Sequence, residues 1–323
     1  MLSSPIEKFL LPFFLSLGLT VIGVVLLLWL GKKSAKRLGG LILIIVFGIS
    51  VLLNKDLEIT RSILGILIGS SMIFLFGLWD DLKNINWKWQ LIFQIIIALA
   101  AISFGVRSGF ISNPLGGAIS LNNPAIYYFF YILYFLIFLN SLNWLDGTDG
   151  LAGGVTLVSL GTIFFLSFKP EVNQPATAIL CAISGGAVLG FLFFNWNPAK
   201  ILAGTSGAWF FGFILASLSI FAGAKIATVM MAALIPILDL VRVVWERWRS
   251  GQSIFQKDHR HLHYLLLNAG INERKIFFLY FFASVLIGSA ALNLRVWGKL
   301  ATIASVIIIY SLSFYLWSKK QKS

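Results

Sequence analysis

Long apolar runs separated by short polar breaks recur from one end of the chain to the other, and this pattern limits the fold more than any other feature. A helix that crosses hydrocarbon needs about 20 mostly apolar residues. The runs give eleven spans: 9–30, 38–54, 62–79, 91–106, 125–142, 151–168, 177–195, 207–222, 226–244, 276–293 and 299–317. Composition excludes a soluble alternative. Of 323 residues 59% are hydrophobic and only 11% charged, whereas a soluble domain carries charge on about a quarter of its residues. The expected fold is therefore all-α, a polytopic integral membrane protein with a single transmembrane domain over residues 1–323. The first run is too long for a signal-peptide core and lacks a small-residue cleavage site, so it is expected to stay as a helix. The lone cysteine, Cys181, excludes a disulfide within the chain.

Basic residues set the orientation. The loop GKKSAKR (31–37) holds four of them and belongs in the cytoplasm. The N-terminus is then outside, the C-terminus inside, and the other loops alternate. Seventeen of the 25 Lys and Arg fall on the cytoplasmic side in this scheme. The formal charge of +13 thus reports topology first, and nucleic acid is not an expected partner. Several tryptophans, Trp29, Trp79, Trp144 and Trp245 among them, fall at span ends, where indole favours the interface. The acids were not used in building the scheme, yet eight of the twelve gather at the cytoplasmic face. All three histidines do so too. Polar groups beside hydrocarbon are costly unless paired or used, so a one-sided site is expected.

Four stretches on that side carry chemistry. Asp80 and Asp81 end the third span; as an isolated pair they would be solvated acids, but adjacent carboxylates also attract a divalent cation or raise one another's pKa. Asn140-Ser-Leu-Asn143-Trp-Leu-Asp146-Gly147-Thr-Asp149-Gly follows. Asp-Gly pairs make turns and Asp149 could cap a helix, but Asn140, Asn143 and Asp146 at threefold spacing would share one helical face. In Asn195-Trp-Asn197-Pro-Ala-Lys200-Ile-Leu-Ala-Gly204-Thr205-Ser206-Gly, small residues before a helix start would leave backbone N–H groups free for a phosphate, unless the segment is simply a capped loop. Lastly, Asp239 in Pro-Ile-Leu-Asp lies within the bilayer by position, and Lys257-Asp-His259-Arg260-His261-Leu-His263 follows in the longest polar insertion, 245–275. Neither Cys nor third-ligand spacing supports zinc there; interleaved Arg and His suit an anionic phosphate or sugar.

Taken together, the DD pair, NSLNWLDGTDGLAGG, the PAKI run and PILD with its later HLH resemble, in order and over residues 75 to 270, the polyprenyl-phosphate N-acetylhexosamine-1-phosphate transferases. The HLH version is similar to the N-acetylglucosamine branch rather than the muramoyl-pentapeptide one. The resemblance implies that a polyprenyl (undecaprenyl) phosphate attacks the β-phosphorus of a UDP-N-acetylhexosamine, releasing UMP, with Mg²⁺ (or Mn²⁺) as cofactor. It implies a multi-pass protein of the cell membrane with its site facing the cytoplasm, working in cell-envelope polysaccharide synthesis, with a homodimer as an allowed assembly. It implies motif-bearing loops at 80–90, 143–150, 195–207 and 245–275. Carried over by position, the reacting carboxylates are Asp80, Asp81 and Asp146. Substrate contacts fall to Asn140, Gly147, Asp149, Lys200, Arg260, His261 and His263, with Gly147 to Asp149 on the uracil. Metal contacts fall to Asn143, Asp80 and the position of Thr205.

Some positions depart from the family's pattern. Thr205 stands where the family has the Asp of G-D-x-G, a magnesium ligand. Asn84 and Gln90 replace an Asp and a Lys downstream of the DD pair, and Tyr264 replaces a third histidine. Thr205 brings a hydroxyl but no charge, so the second expectation is a catalytically impaired homologue that binds nucleotide-sugar or lipid phosphate. A transporter is the third; it fits less well, because transporters place charge near the midplane in repeated halves, and no repeat is evident here.

Overall fold

The computed structural model describes residues 7–30, 36–112, 117–222, 225–253 and 260–320. Among the described residues it is a bundle of thirteen helices: α1 (Glu7–Trp29), α2 (Gly39–Leu53), α3 (Arg61–Lys83), α4 (Trp87–Ser103), α5 (Pro124–Leu145), α6 (Leu151–Ser167), α7 (Pro175–Asn195), α8 (Gly204–Phe221), α9 (Ile226–Ala232), α10 (Leu234–Arg249), α11 (Leu262–Asn268), α12 (Glu273–Asn293) and α13 (Val296–Lys320). Seven of these are long and apolar enough to cross a membrane, and an eighth crossing results if α9 and α10 form one span. The expected spans 38–54, 91–106 and 151–168 correspond to three shorter apolar helices, α2, α4 and α6. The chain is an all-α polytopic membrane protein. A two-stranded antiparallel hairpin, β1 (Phe110–Ser112) and β2 (Ala118–Ser120), departs from the strand-free expectation. It sits in the polar segment between α4 and α5, outside the helical core.

Local signals start the helices where polar residues interrupt the apolar runs. Thr60, Asn86, Asn123 and Asn272 each accept a backbone N–H at the first turn of α3, α4, α5 and α12. Pro124 and Pro175 occupy first-turn positions, where a missing N–H costs nothing. The ninth expected span, 226–244, is not one straight helix. It bends by 84° between α9 and α10 at Ala233, and α10 runs on to Arg249.

The bundle is built around α7 and α8, which are buried along most of their length. Between helices in lipid, small residues allow close contact where burial of apolar surface drives little. Gly186 on α7 shows the limit: a Cβ there would lie 2.1 Å from the carbonyl of Phe13 on α1. At the other extreme α13 packs loosely, with Ile308, Ile309 and Leu312 exposed to what would be lipid.

Candidate active site

One end of the bundle encloses a cavity of about 750 Å³. Its walls come from the C-terminal ends of α3, α5 and α10, the N-terminal ends of α4 and α8, helix α11, and Arg37 just before α2. All four motif regions contribute: Asp80 and Asp81; Asn143, Asp146 and Gly147; Gly204 and Thr205; and His261.

The α3 carboxylates are held tightly. Asp80 is buried; its Oδ1 accepts the Ile85 N–H at 3.0 Å and the Gln90 side-chain amide at 2.9 Å, and its Oδ2 accepts the Thr205 hydroxyl at 2.5 Å. All three donors are neutral. Asp81 reaches across to the start of α8, where it accepts from the Thr205 N–H (2.6 Å), the Ser206 N–H (3.2 Å) and the Ser206 hydroxyl (2.7 Å). A helix N-terminus offers unpaired N–H groups and partial positive charge, and here a carboxylate from another helix uses both. The approach requires Gly204, whose φ of +67° suits a residue without a side chain and whose Cβ, if present, would lie 2.7 Å from Asp81 Oδ1. The sequence-based expectation that this helix start holds a phosphate is thereby corrected. Its first N–H groups already bind Asp81.

The second motif divides in two. Asn140 does not share a cavity-facing stripe with Asn143 and Asp146: it donates to the Gln94 side chain at 2.8 Å and to the Leu136 carbonyl at 2.8 Å, joining α5 to α4. Asp149 accepts from Asn197 (3.2 Å) and the Ala199 N–H (2.9 Å), while Asn195 accepts the Gly150 N–H (3.0 Å). These bonds weld the second motif to the third and draw Asp149 away from the cavity wall. Asp146, which ends α5, differs from all of them. Half-buried on the cavity wall, its carboxylate makes no hydrogen bond to the described residues, and only its backbone N–H is used, donating to the Leu142 carbonyl at 3.1 Å. Its removal from water, and then the neighbouring Asp81 and Asp149 carboxylates, push its pKa well above the usual carboxylate range.

The fourth region supplies the basic side. Buried Asp239 on α10 accepts His261 Nδ1 at 2.8 Å, the Leu262 N–H at 3.0 Å, Arg242 at 2.9 Å and the Tyr310 hydroxyl at 2.7 Å. Two turns further along α10, Arg247 is 1% exposed, lines the cavity and lies over the Trp144 ring at 5.2 Å. An arginine pressed on an indole is partly desolvated and presents a planar fork of donors suited to phosphate. His259, Asp258 and Lys257 lie outside the described residues.

The profile of glycosyl transferase family 4 matches residues 63–223, the segment from α3 to the end of α8. The chain belongs to glycosyl transferase family 4. It is 28% identical over 286 residues to the probable undecaprenyl-phosphate N-acetylglucosaminyl 1-phosphate transferase of Bacillus subtilis, covering 85% of this chain and 78% of that protein. It is 27% identical over 271 residues to the decaprenyl-phosphate N-acetylglucosaminephosphotransferase of Mycobacterium tuberculosis (74% and 67%). With the phospho-N-acetylmuramoyl-pentapeptide-transferase of Bacillus cytotoxicus it shares 25% over 214 residues (65% of each). Like these relatives, the chain is a glycosyl-1-phosphate transferase.

Within this family 4 site, the expected residues separate by position. Asp80, Asp81, Asn143, Asp146, Gly147, Thr205 and His261 border the cavity. Asn140, Asp149, Lys200, Arg260 and His263 do not: Lys200 is exposed, Arg260 bonds Gln252, and His263 is fully buried with its ring parallel to that of His261 at 5.8 Å. Arg37, Trp144, Arg247 and Tyr264 also line the cavity and were not among the expected site residues. Trp144, read from sequence as an interfacial indole, forms a floor for Arg247. A signal for Arg247 existed. Asp239, Val243 and Arg247 recur at fourfold spacing, and all three are buried on one face of α10.

Proposed function

We propose that this transferase moves N-acetylhexosamine 1-phosphate from a UDP-sugar to a polyprenyl phosphate at the cytoplasmic face of the cell membrane. One observation carries the reading: four motif regions far apart in sequence border a single cavity that offers three carboxylates and a buried arginine. An oxygen of the lipid phosphate bonds to the β-phosphorus, the bond from that phosphorus to the bridging oxygen breaks, and UMP leaves with the electron pair. A phosphomonoester has its second pKa near 6 and is already largely a dianion at neutral pH, so the attacking group needs placement more than deprotonation. That agrees with Asp80 and Asp81, whose oxygens are occupied by donors and which act as the frame.

A divalent cation fits this donor set in a particular way. Among the described residues no three His, Cys, Asp or Glu side chains converge to hold an ion by themselves. Mg²⁺ does not require such a cage, because it is usually held by one or two carboxylates, waters and substrate phosphates. Asp146, whose carboxylate accepts no bond from the described residues and lies beside two other carboxylates, fits the protein's share of the site with Asn143 next to it. When bound, the ion would neutralise charge on the pyrophosphate oxygens. Arg247 would hold the diphosphate or sugar, with His261 nearby. The apolar helices around the cavity would keep the lipid chain in the bilayer.

The test is incubation of the purified protein with undecaprenyl phosphate, Mg²⁺ and a panel of radiolabelled UDP-N-acetylhexosamines. Label in the lipid phase and release of UMP in equal amounts are expected. Mg²⁺-dependent binding of the UDP-sugar with no labelled lipid across the panel would replace this reading with that of a binding protein.

A further inference from the structure

His261 is held by a chain of contacts that leaves the cavity and ends on the outermost helix. Its Nδ1 meets Asp239 Oδ2, so the carboxylate fixes that nitrogen as the protonated one, while Nε2 bonds no other described residue. The other oxygen, Oδ1, accepts from Leu262, Arg242 and Tyr310. Arg242 in turn donates through Nε to the Tyr310 hydroxyl at 2.8 Å, pairs with Glu246 at 3.0 Å, and lies 4.4 Å from the Phe314 ring. A single hydroxyl on α13 therefore both donates to Asp239 and accepts from Arg242.

We infer that Tyr310 is a positioning residue for the transfer reaction: through Asp239 it fixes the ring of His261 in the one tautomer and orientation that presents Nε2 to the cavity. The inference rests on the transferase reading for its kinetic consequence, but not for its structural one. Removal of the hydroxyl takes one of three donors from Oδ1 and the acceptor from Arg242 Nε. Among the described residues of α13, Arg242 then keeps only the Phe314 ring, and the remaining geometry at Asp239 is shared among fewer bonds. A buried carboxylate is placed by its donors, and the imidazole is placed by that carboxylate. On the loosely packed α13, it is Tyr310 that touches Asp239, with Phe314 against Arg242 beside it.

The variant Tyr310→Phe keeps the ring and removes the hydroxyl. Its kcat is expected to fall about tenfold with the KM for the UDP-sugar within about twofold, the split given by misplacing a group rather than losing a binding contact. The second readout needs no turnover. The chain has three histidines, so ¹⁵N spectra of histidine-labelled protein contain three ring systems, and His261→Gln assigns the one concerned. Wild type should show His261 protonated at Nδ1, and both Tyr310→Phe and Asp239→Asn should show a mixture of tautomers. Ile303→Ala, which loosens the packing of α13 without touching Asp239, should lower the Tm and leave the His261 signal unchanged. An unaltered His261 tautomer in Tyr310→Phe, or in Asp239→Asn if the former does not fold, overturns the inference, as does a tautomer shift with unchanged kcat. Mixed tautomers in Tyr310→Phe with no lipid product from wild type would uphold the positioning role and remove the transferase reading alone.

Discussion

The carboxylates at the end of α3 and the carboxylate at the end of α5 border the same cavity, yet their surroundings are opposite. Asp80 and Asp81 together accept six hydrogen bonds, every one from a neutral group. Asp146 accepts none from the described residues and faces two other acids. A carboxylate whose lone pairs are filled by fixed donors is a structural anchor, since taking one donor away leaves a buried acceptor unsatisfied. One that is held near other negative charge without donors stores unfavourable energy until a cation or a proton arrives. On the function proposed above, the adjacent pair that is more conspicuous in the sequence serves as the frame, and the single Asp in the turn is the reactive position.

The largest effect should follow from breaking this contrast at Asp146. Asp146→Asn removes the charge and keeps the shape, and lipid transfer should fall by on the order of 10²–10³-fold, the scale of losing a preorganised electrostatic contact to the reacting group. Without divalent cations at neutral pH the same variant should melt above wild type, because it relieves repulsion with Asp81 and Asp149. Paired assays of transfer and of Tm in EDTA check both halves; a variant that loses stability in EDTA would place Asp146 among the anchors. Next in size is Thr205→Asp. The side chain would set a carboxylate against Asp80, with only neutral Gln90 and the Ile85 N–H on the other side. Activity should drop rather than rise, and the Tm with it. Gln90→Lys should recover part of the loss, with a coupling of about 0.5–3 kcal/mol between the two sites in a double-mutant cycle. Additive effects would show that the two side chains do not meet at Asp80.

The contrast also explains what could and could not be read before the structure. Period and length of the apolar runs placed α1, α3, α5, α7, α8 and α12 closely, because in lipid every backbone group must be satisfied within its own helix. The break at Ala233 was not legible: residues 229–238 are apolar on both sides of it, and a bend there changes no residue's hydropathy. The motifs singled out Asn143, Asp146 and His261, which border the cavity, but spacing could not say which acids carry donors. That depends on contacts such as Thr205 to Asp80 and Ala199 to Asp149, which join residues more than a hundred and exactly fifty positions apart. Asn140 shows the same limit. Its threefold spacing from Asn143 is real, yet Gln94 on the neighbouring helix claims its amide. Arg247 was hidden for a different reason, since a basic residue near a span end reads first as a topology marker.

A smaller, specific effect is expected at Arg247, the cavity's buried cation. Arg247→Lys retains the charge but loses the planar fork and its stacking on Trp144, and these are the features that distinguish guanidinium from ammonium in phosphate recognition. The KM for UDP-sugar should rise by roughly tenfold, the worth of one charge-assisted contact, with a lesser change in kcat. Steady-state kinetics at saturating lipid phosphate measure this. An equal fall in kcat with constant KM would move Arg247 from binding the donor to stabilising the transition state.

The smallest effect, and the sharpest separation of sequence motif from site, is expected at Lys200. It lies inside the PAKI run, next to residues that do border the cavity, and its basic charge made it a natural phosphate contact. Its side chain is exposed, however, and it is the backbone that is used, with the Lys200 N–H donating to the Phe194 carbonyl at 2.8 Å to close the turn. Lys200→Ala keeps that N–H and should leave both kcat and the KM for UDP-sugar within about twofold, since a solvent-exposed charge contributes little to a contact it does not make. Lys200→Pro removes the N–H and should destabilise the turn, lowering the Tm even though the charge change is identical. If Lys200→Ala instead weakened donor binding as much as Arg247→Lys, the cavity would have to extend over the PAKI turn when substrate is present, and the division between frame and reactive face would have to be redrawn there.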